Sequence, residues 1–486
     1  MALLDPAVWE KKVFTGRWSE AGGAPVEVTE PATGRSLGTV GAATPEDVAA
    51  ACAGAAAAQR EWAAAPFDER AAVLRRAGRL FEEHAEEIRD WLVREAGSIR
   101  PKAELEVRTA AGECYEAAAL PSHGSGDLLP SAEGKLSFSR RVPAGVVGII
   151  APFNFPLILS IRAVAPALAL GNSVVLKPDS RTAVCGGAVL AAIFEAAGVP
   201  SGAFQVLPGG ADAGAALVAD RHTRVIAFTG STGAGRKVGE AAATHLKRAH
   251  LELGGNNAVI VLPDADLDAA VSAAAWGAFL HQGQICMAAG RHLVHESIAD
   301  EYVAKLAAKA EGMAVGDPHT EQVALGPIID AKQRDNVHRL VTESVESGAR
   351  VAAGGGFQGL FYRPTVLDGV TRQTPAFREE VFGPVAPVIR YSTVDEAVEI
   401  AADTEYGLSL SVLGADAMRA WEVAQRIPSG LVHINDQTVG DMPHVPFGGV
   451  KDSGNGGRIG TAAANLESFT ETQWVTLQGS IERYPF

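Results

Sequence analysis

A single cysteine, Cys286, sits in the window His281 to Arg291, HQGQICMAAGR, with glycine and glutamine before it and small residues after it. So little bulk suits an open turn, where a carbonyl carbon can come within bonding distance of sulfur. An isolated cysteine is more often an inert buried thiol, so its reading depends on the chemistry carried elsewhere. In PFNFP, residues 152 to 156, two prolines bracket Asn154 and fix the loop. A side-chain amide there can donate to a developing oxyanion, or it can satisfy turn backbone. In HLELGG, residues 250 to 255, Glu252 is a carboxylate in an apolar strand before a Gly-Gly break. Burial raises such a carboxyl toward neutrality and makes it a competent general base; the alternative is a paired structural glutamate.

Phe228 to Gly235, FTGSTGAG, closes one strand and opens a helix. Glycines allow close backbone approach, and helix N-terminal amides attract phosphate. The pattern is neither G-x-G-x-x-G nor a Walker loop, because Arg236-Lys237 stands where Lys-Ser/Thr would be needed. A bare strand-to-helix turn is the alternative. Lys177, ending SVVLK, is either a phosphate or ribose donor or a solvated lysine. EEVFGP (379 to 384) and PFGG (446 to 449) complete the rigid loops.

The elements that must hold these loops are legible in outline. Short alternating stretches up to about Val40 predict a β meander. Apolar spacing predicts helices over Pro45 to Trp62, with Thr44 as N-cap, over Phe67 to Glu95, and over Lys102 to about Leu120. The turn-rich segment after Leu120 reads as a hairpin leaving the domain body. After Arg141, apolar runs alternate with Ala-rich helical runs (GVVGII, SVVLKP, AFQVLPG, RVIAFTG), the pattern of a parallel sheet covered on both faces. A second alternating set follows Leu253, and the tail SFTETQWVTLQG is placed to pair with the hairpin or with another subunit. The expected class is α/β.

A chain of 486 residues, 47% hydrophobic and 20% charged, is an ordinary globular protein of two or three domains. Its 42 basic against 57 acidic residues, a net charge of −15, argue against a nucleic-acid partner. The one short basic cluster, Lys135 to Arg141, reads as a solvated strand edge. No secretory leader and no bilayer-spanning apolar run is visible. Four cysteines without CxxC spacing point to free thiols in a reducing cytoplasm and to no metal, and Cys52, Cys114 and Cys185 read as packing residues.

Taken together and in order, PFNFP, FTGST, ELGG, GQIC, EEVFGP and PFGG resemble the aldehyde dehydrogenase family over nearly the whole chain, with HQGQICMAAGRHLVH and PFGGVKDSGNGG most like its benzaldehyde branch and vanillin-type enzymes nearby. The resemblance implies a Rossmann-like dinucleotide-binding domain (1-121 and 143-253), a catalytic α/β domain (254-469) and a small oligomerisation β segment (122-142 and 470-486), in a homodimer or homotetramer. It makes Cys286 the nucleophile, Glu252 the base and Asn154 the oxyanion donor. It sets Gly230, Ser231, Thr232, Gly233, Ala234 and Gly235 at the pyrophosphate, Lys177 and Ser180 at the adenosine ribose, Glu380 and Phe382 at the nicotinamide end, and Leu253 among the other cofactor contacts. Ser180 stands where many NAD-using relatives carry a glutamate, which implies use of NAD or NADP, with NAD slightly favoured. Phe153 replaces a common tryptophan and, with Phe155, Ile285 and Phe447, would form an apolar slot for a benzaldehyde-like substrate; Arg162 is expected to face solvent. Vanillin-type or aliphatic aldehydes, or a thiol esterase using the same groups, are the alternatives. A P-loop NTPase lacks its Lys-Ser/Thr here, and a catalytically dead binding protein would lack some motif residue, which this chain does not.

Overall fold

The computed structural model describes residues 3–124, 126–132 and 134–486. Among these residues the strands form two seven-stranded sheets, one three-stranded sheet and two ribbons of two strands. The first large sheet runs in the order Arg248–Glu252, Thr223–Thr229, Val146–Ile150, Ser173–Lys177, Phe204–Val206, Lys12–Phe14, Trp18–Glu20. Its first five strands are parallel, and the two N-terminal strands join antiparallel at one edge. The second runs Arg350–Ala353, Thr365–Asp368, Val385–Tyr391, Arg291–His295, Ala258–Val261, Ser409–Leu413, Leu431–Ile434, all parallel except the first pair.

The apolar runs are continuous because both faces of each sheet are covered. Side chains alternate across a strand, so Val147 and Ile149 enter one core while Val146 enters another. In the second sheet Ala258 and Ile260 separate in the same way from Val259 and Val261. The α/β class expected from the pattern is therefore the one found, and no helix among the described residues is long and apolar enough to cross a membrane.

Local signals set several boundaries. Thr44 accepts from the Asp47 N–H while Asp47 accepts from Thr44 N, a capping box that opens the helix Pro45–Ala64. The helix expected over Phe67 to Glu95 is two, Phe67–Glu83 and Ala85–Ala96, because His84 leaves the helical conformation at φ −102°, ψ 18°. No proline or glycine marks that break. The run from Ala183 begins as a wide π-helical turn over Val184–Ala188, in which Ala188 N donates to Ala183 O, and regular α-helix starts only at Val189.

The tail strand Thr470–Gln478 pairs antiparallel along the full length of Lys135–Pro143, from Thr470 opposite Pro143 to Gln478 opposite Lys135. Leu128–Leu129 pairs on the other side. The basic cluster expected on a sheet edge thus lies on the central strand. The tail strand pairs along its whole length and Leu128–Leu129 only opposite Ser137 and Phe138, while Arg141 reaches out to Glu467 at 2.7 Å. Cys52, Cys114 and Cys185 are fully buried free thiols.

Candidate active site

A cleft of about 430 Å³ opens at the carboxyl ends of four adjacent parallel strands of the first sheet. Strand Val146–Ile150 has its successor Ser173–Lys177 on one side and Thr223–Thr229 on the other. Strand order reverses there, which is where open α/β sheets bind ligands. The walls include Lys177, Gly230, Ser231, Ala234, Leu253, Glu380 and Phe382. Ser231 caps the helix Thr232–Thr244, its hydroxyl accepting from the Ala234 N–H, so the first amides of a 13-residue helix open on the cleft. A Cβ on Gly235 would come within 2.2 Å of the Leu253 side chain, so this glycine lets helix and strand end pack closely. Thr232, Gly233 and Gly235 belong to that first turn but do not line the cleft. Glu380 accepts from the Gly255 N–H at 3.0 Å, and burial pushes its carboxyl up to about 7. Phe382 is held at φ +52°, a conformation non-glycine residues seldom adopt. This set suits a dinucleotide: helix amides for phosphates, a lysine and a carboxylate for hydroxyls, and aromatic walls.

Ser180 does not line the cleft. Asp179 accepts from the Arg181 N–H and opens a tight turn over Ser180–Thr182, which brings Asp179 and Arg181 to the wall instead. Their side chains pair at 2.8 Å, and Arg181 also reaches Asp330 at 2.7 Å. Sequence reading missed both residues.

The thiol turn is built by left-handed backbone. His281, Gln282 and Gly283 have φ of +50°, +57° and +67°, a strained run that persists only where its surroundings hold it. Gln282 Nε2 donates to Pro327 O at 2.7 Å and to Gly97 O at 3.2 Å, while its Oε1 accepts from Gly326 N. Gln284 Oε1 accepts from Ile329 N at 3.0 Å. Asn257 Nδ2 donates to Cys286 O and Ala288 O, both at 2.8 Å. Cys286 is left half-buried. Burial, followed by the charges of Glu380, Glu252 and Asp441, pushes its thiol well up, so it is protonated at rest.

Asn154 meets Cys286 on the wall between this cleft and a second, apolar pocket; both residues line both spaces. The Asn154 amide donates to Gln284 O at 2.8 Å, which ties it to the thiol turn and leaves its second N–H available. Its backbone is anchored by Lys102, whose Nζ donates to Asn154 O at 2.7 Å, to Ser98 Oγ and to Glu106. Glu106 in turn accepts from the Leu157 and Ile158 N–H groups and caps the following helix. Lys102 and Glu106 are both fully buried. Lys102→Met would leave Glu106 uncompensated and is expected to lower stability by about 3–5 kcal/mol, read from urea unfolding. An unchanged midpoint would show the pair to be dispensable.

Glu252 ends its strand in a small recess beside both spaces, with Phe447 and Leu159 shared with the apolar pocket. Its Oε2 is buried without a hydrogen-bond partner. Burial pushes its carboxyl up to about 8 against the opposing pull of Arg458 and Arg162. The three groups singled out in sequence therefore gather, but Glu252 stands behind the wall that Cys286 and Asn154 share.

Phe155, Ile285 and Phe447 line the apolar pocket with Leu105, Ile158 and Met287. Phe153 does not. It faces the dinucleotide-sized cleft, edge-on to Phe382 at 5.9 Å and under the Arg181 guanidinium at 4.1 Å. Arg162, expected at the surface, is buried and bonded to Glu113 and Asp441. Asp441 and Thr109, which sequence reading did not select, are polar residues of the pocket wall. The nearest signal for Asp441 was an acidic residue just ahead of PFGG.

Two parallel-sheet units with a thiol at a ligand-sized cleft define a class of α/β protein, and sequence comparison gives its family. The Aldehyde dehydrogenase family profile matches residues 18–475. The chain belongs to the aldehyde dehydrogenase family. It is 64% identical over 486 residues to a vanillin dehydrogenase of Amycolatopsis sp., covering 100% of both chains. It is 51% identical over 480 residues to benzaldehyde dehydrogenase [NAD(+)] of Pseudomonas putida, covering 99% of this chain and 98% of that one. A crystal structure of a salicylaldehyde dehydrogenase from Pseudomonas putida, in complex with salicylaldehyde, superposes with a TM-score of 0.94 at 34% identity, covering 98% and 99% of the two chains.

Proposed function

We propose that the protein oxidises aromatic aldehydes of the benzaldehyde type to their carboxylic acids, with NAD or NADP as oxidant. The observation that carries this reading is the shared wall: Cys286 and Asn154 face a dinucleotide-sized cleft on one side and an aromatic-lined apolar pocket on the other. The relatives named for vanillin and benzaldehyde support an aromatic substrate.

In this reading the Cys286 sulfur adds to the aldehyde carbon, and its proton passes to solvent water as the carbon–sulfur bond forms. The carbonyl electron pair moves onto oxygen, held by the free Asn154 N–H and the Cys286 backbone N–H. Such a donor is worth roughly 10²–10³ in rate. A bound nicotinamide supplies the acceptor for the hydride that leaves the carbon. The carbonyl re-forms as a thioester on Cys286. Glu252 takes a proton from water, which attacks the thioester and releases the acid and the thiolate. A carboxylate in this place favours hydrolysis over transfer of the acyl group to another thiol.

Gly230, Ser231 and Ala234 would meet the pyrophosphate, with Thr232, Gly233 and Gly235 shaping the turn beneath. Lys177 would meet the adenosine ribose, and Leu253, Glu380 and Phe382 the nicotinamide end. Asp179 is already paired with Arg181, which reduces repulsion toward a 2′-phosphate, so both dinucleotides should serve, NAD somewhat better. The segments 1-121 and 143-253 would form the dinucleotide domain and 254-469 the thiol domain. Segments 122-142 and 470-486, with Leu128, Leu136, Trp474 and Leu477 exposed, would join copies in a homodimer or homotetramer.

The test is absorbance at the reduced-nicotinamide band over an aldehyde panel with each cofactor. Benzaldehydes should exceed hexanal in kcat/KM. Preference for hexanal would overturn the substrate, and ester cleavage without dinucleotide reduction would favour a thiol esterase.

A further inference from the structure

The pocket in front of Cys286 is apolar except at a few points. Beyond Asn154 and Cys286, its polar wall residues are Thr109 and Asp441. A carboxylate on such a wall is costly unless donors meet it. Arg162 supplies one, donating from Nη2 to Asp441 Oδ1 and to Met442 O, while its Nε donates to Glu113 Oε1 at 3.2 Å. One guanidinium thus serves two carboxyl groups. It is also braced on the Phe447 ring at 4.8 Å, and its Nη1 has no partner.

The backbone keeps this arrangement in register. Leu105 and Thr109 line the pocket from the helix Arg100–Ala119, and Glu113, one turn further along the same face, lies past the pocket. Glu113 lies behind the wall against Arg162, and Asp441 in front of it. Arg162 occupies one Asp441 oxygen from behind. A carboxylate offers about four lone-pair sites, so acceptor capacity is left on the pocket side. Nothing in the reaction at Cys286 uses it.

We propose that Asp441 is the acceptor for a ring hydroxyl, so that the preferred substrates are hydroxybenzaldehydes rather than benzaldehyde itself. This rests on the aromatic-aldehyde reading given above. The ring lies among Phe155, Ile158 and Phe447, its aldehyde carbon at Cys286 and its phenolic O–H directed to Asp441, with the Thr109 hydroxyl on the same wall. A site built to bond a substrate hydroxyl rejects the analogue that lacks it, because its acceptor is then desolvated without a partner. A methoxyl group at the same ring position keeps the bulk and removes the donor.

The experiment compares kcat/KM for the three hydroxybenzaldehydes with that for the matched methoxybenzaldehydes and benzaldehyde, in the full-length protein and in Asp441→Ala. For at least one ring position the hydroxyl should be preferred over the methoxyl by about 10- to 100-fold, the effect of a hydrogen bond to a charged acceptor. In Asp441→Ala that ratio should fall to near one. A ratio near one at all three positions in the unmodified protein, or a ratio unchanged by the substitution, overturns the proposal. Should Asp441→Ala not fold, the unmodified protein still decides: hydroxybenzyl alcohols should inhibit about ten-fold more tightly than benzyl alcohol, and equal inhibition overturns the assignment. The two readings fail differently. If no benzaldehyde outpaces hexanal, the aromatic reading itself is wrong; if benzaldehydes lead but the hydroxyl is ignored, only the role of Asp441 is.

Discussion

Cys286→Ala is expected to abolish aldehyde oxidation, with kcat falling by at least about 10⁴-fold, while dinucleotide binding measured by calorimetry persists. The magnitude follows from what the sulfur does. Removing a nucleophile that forms the covalent intermediate leaves only binding and the oxyanion donor, and such losses reach about 10⁶ in serine hydrolases. Binding persists because the thiol turn is held by Gln282, Gln284 and Asn257 through backbone and amide bonds, none of which involves sulfur. Residual oxidation within about ten-fold of the unmodified protein would move the chemistry to another group, since no positioning effect of one thiol is that small and that specific.

Glu252→Gln is expected to separate the two halves of the reaction. The amide is nearly the same size but cannot accept a proton from water. Acyl transfer to Cys286 should proceed through one burst of reduced dinucleotide per site, after which turnover slows by about 10²–10⁴-fold. Mass spectrometry should find the acyl group on Cys286. The unmodified protein should also show a pH dependence that the variant lacks. The carboxyl is pushed up to about 8 by burial, so below that pH it is protonated and cannot act as base. Where deacylation limits turnover, kcat should therefore rise with pH up to about 8 and level off above it. A variant with the same pH profile and no burst would assign the proton transfer elsewhere.

These expectations depend unequally on sequence and on fold. The thiol, the amide and the strand-end carboxylate stand out in the chain because each lies in a short window whose neighbours constrain the backbone. Proline brackets Asn154, a Gly-Gly break follows Glu252, and small residues follow Cys286. The strands were legible for the same kind of reason. Runs such as VVGII and AVIV make sense only if both faces are buried, and Val147 and Val146 do enter different cores. The helix break at His84 was not legible, because no residue there forbids helix; the turn is dictated by what the two halves pack against.

The wall residues show the limit most clearly. Phe153 and Phe155 are two positions apart and look equivalent in sequence, yet one faces the cleft and the other the apolar pocket. Ser180 stands three residues after Lys177, the place the family resemblance assigns to the ribose, but the cap made by Asp179 turns the next residues so that Arg181 takes the wall. Arg162 looked like a surface residue until Glu113 and Asp441 met it from distant segments.

The amino-acid sequence by itself determined the chemical groups, the α/β class and the family, because residue type, period and loop composition are local properties that survive without the fold. The tertiary structure decided which face each group serves. That depends on partners such as Asp441, 279 residues from Arg162 along the chain, and such pairings exist only once the two sheets have packed and excluded water between them.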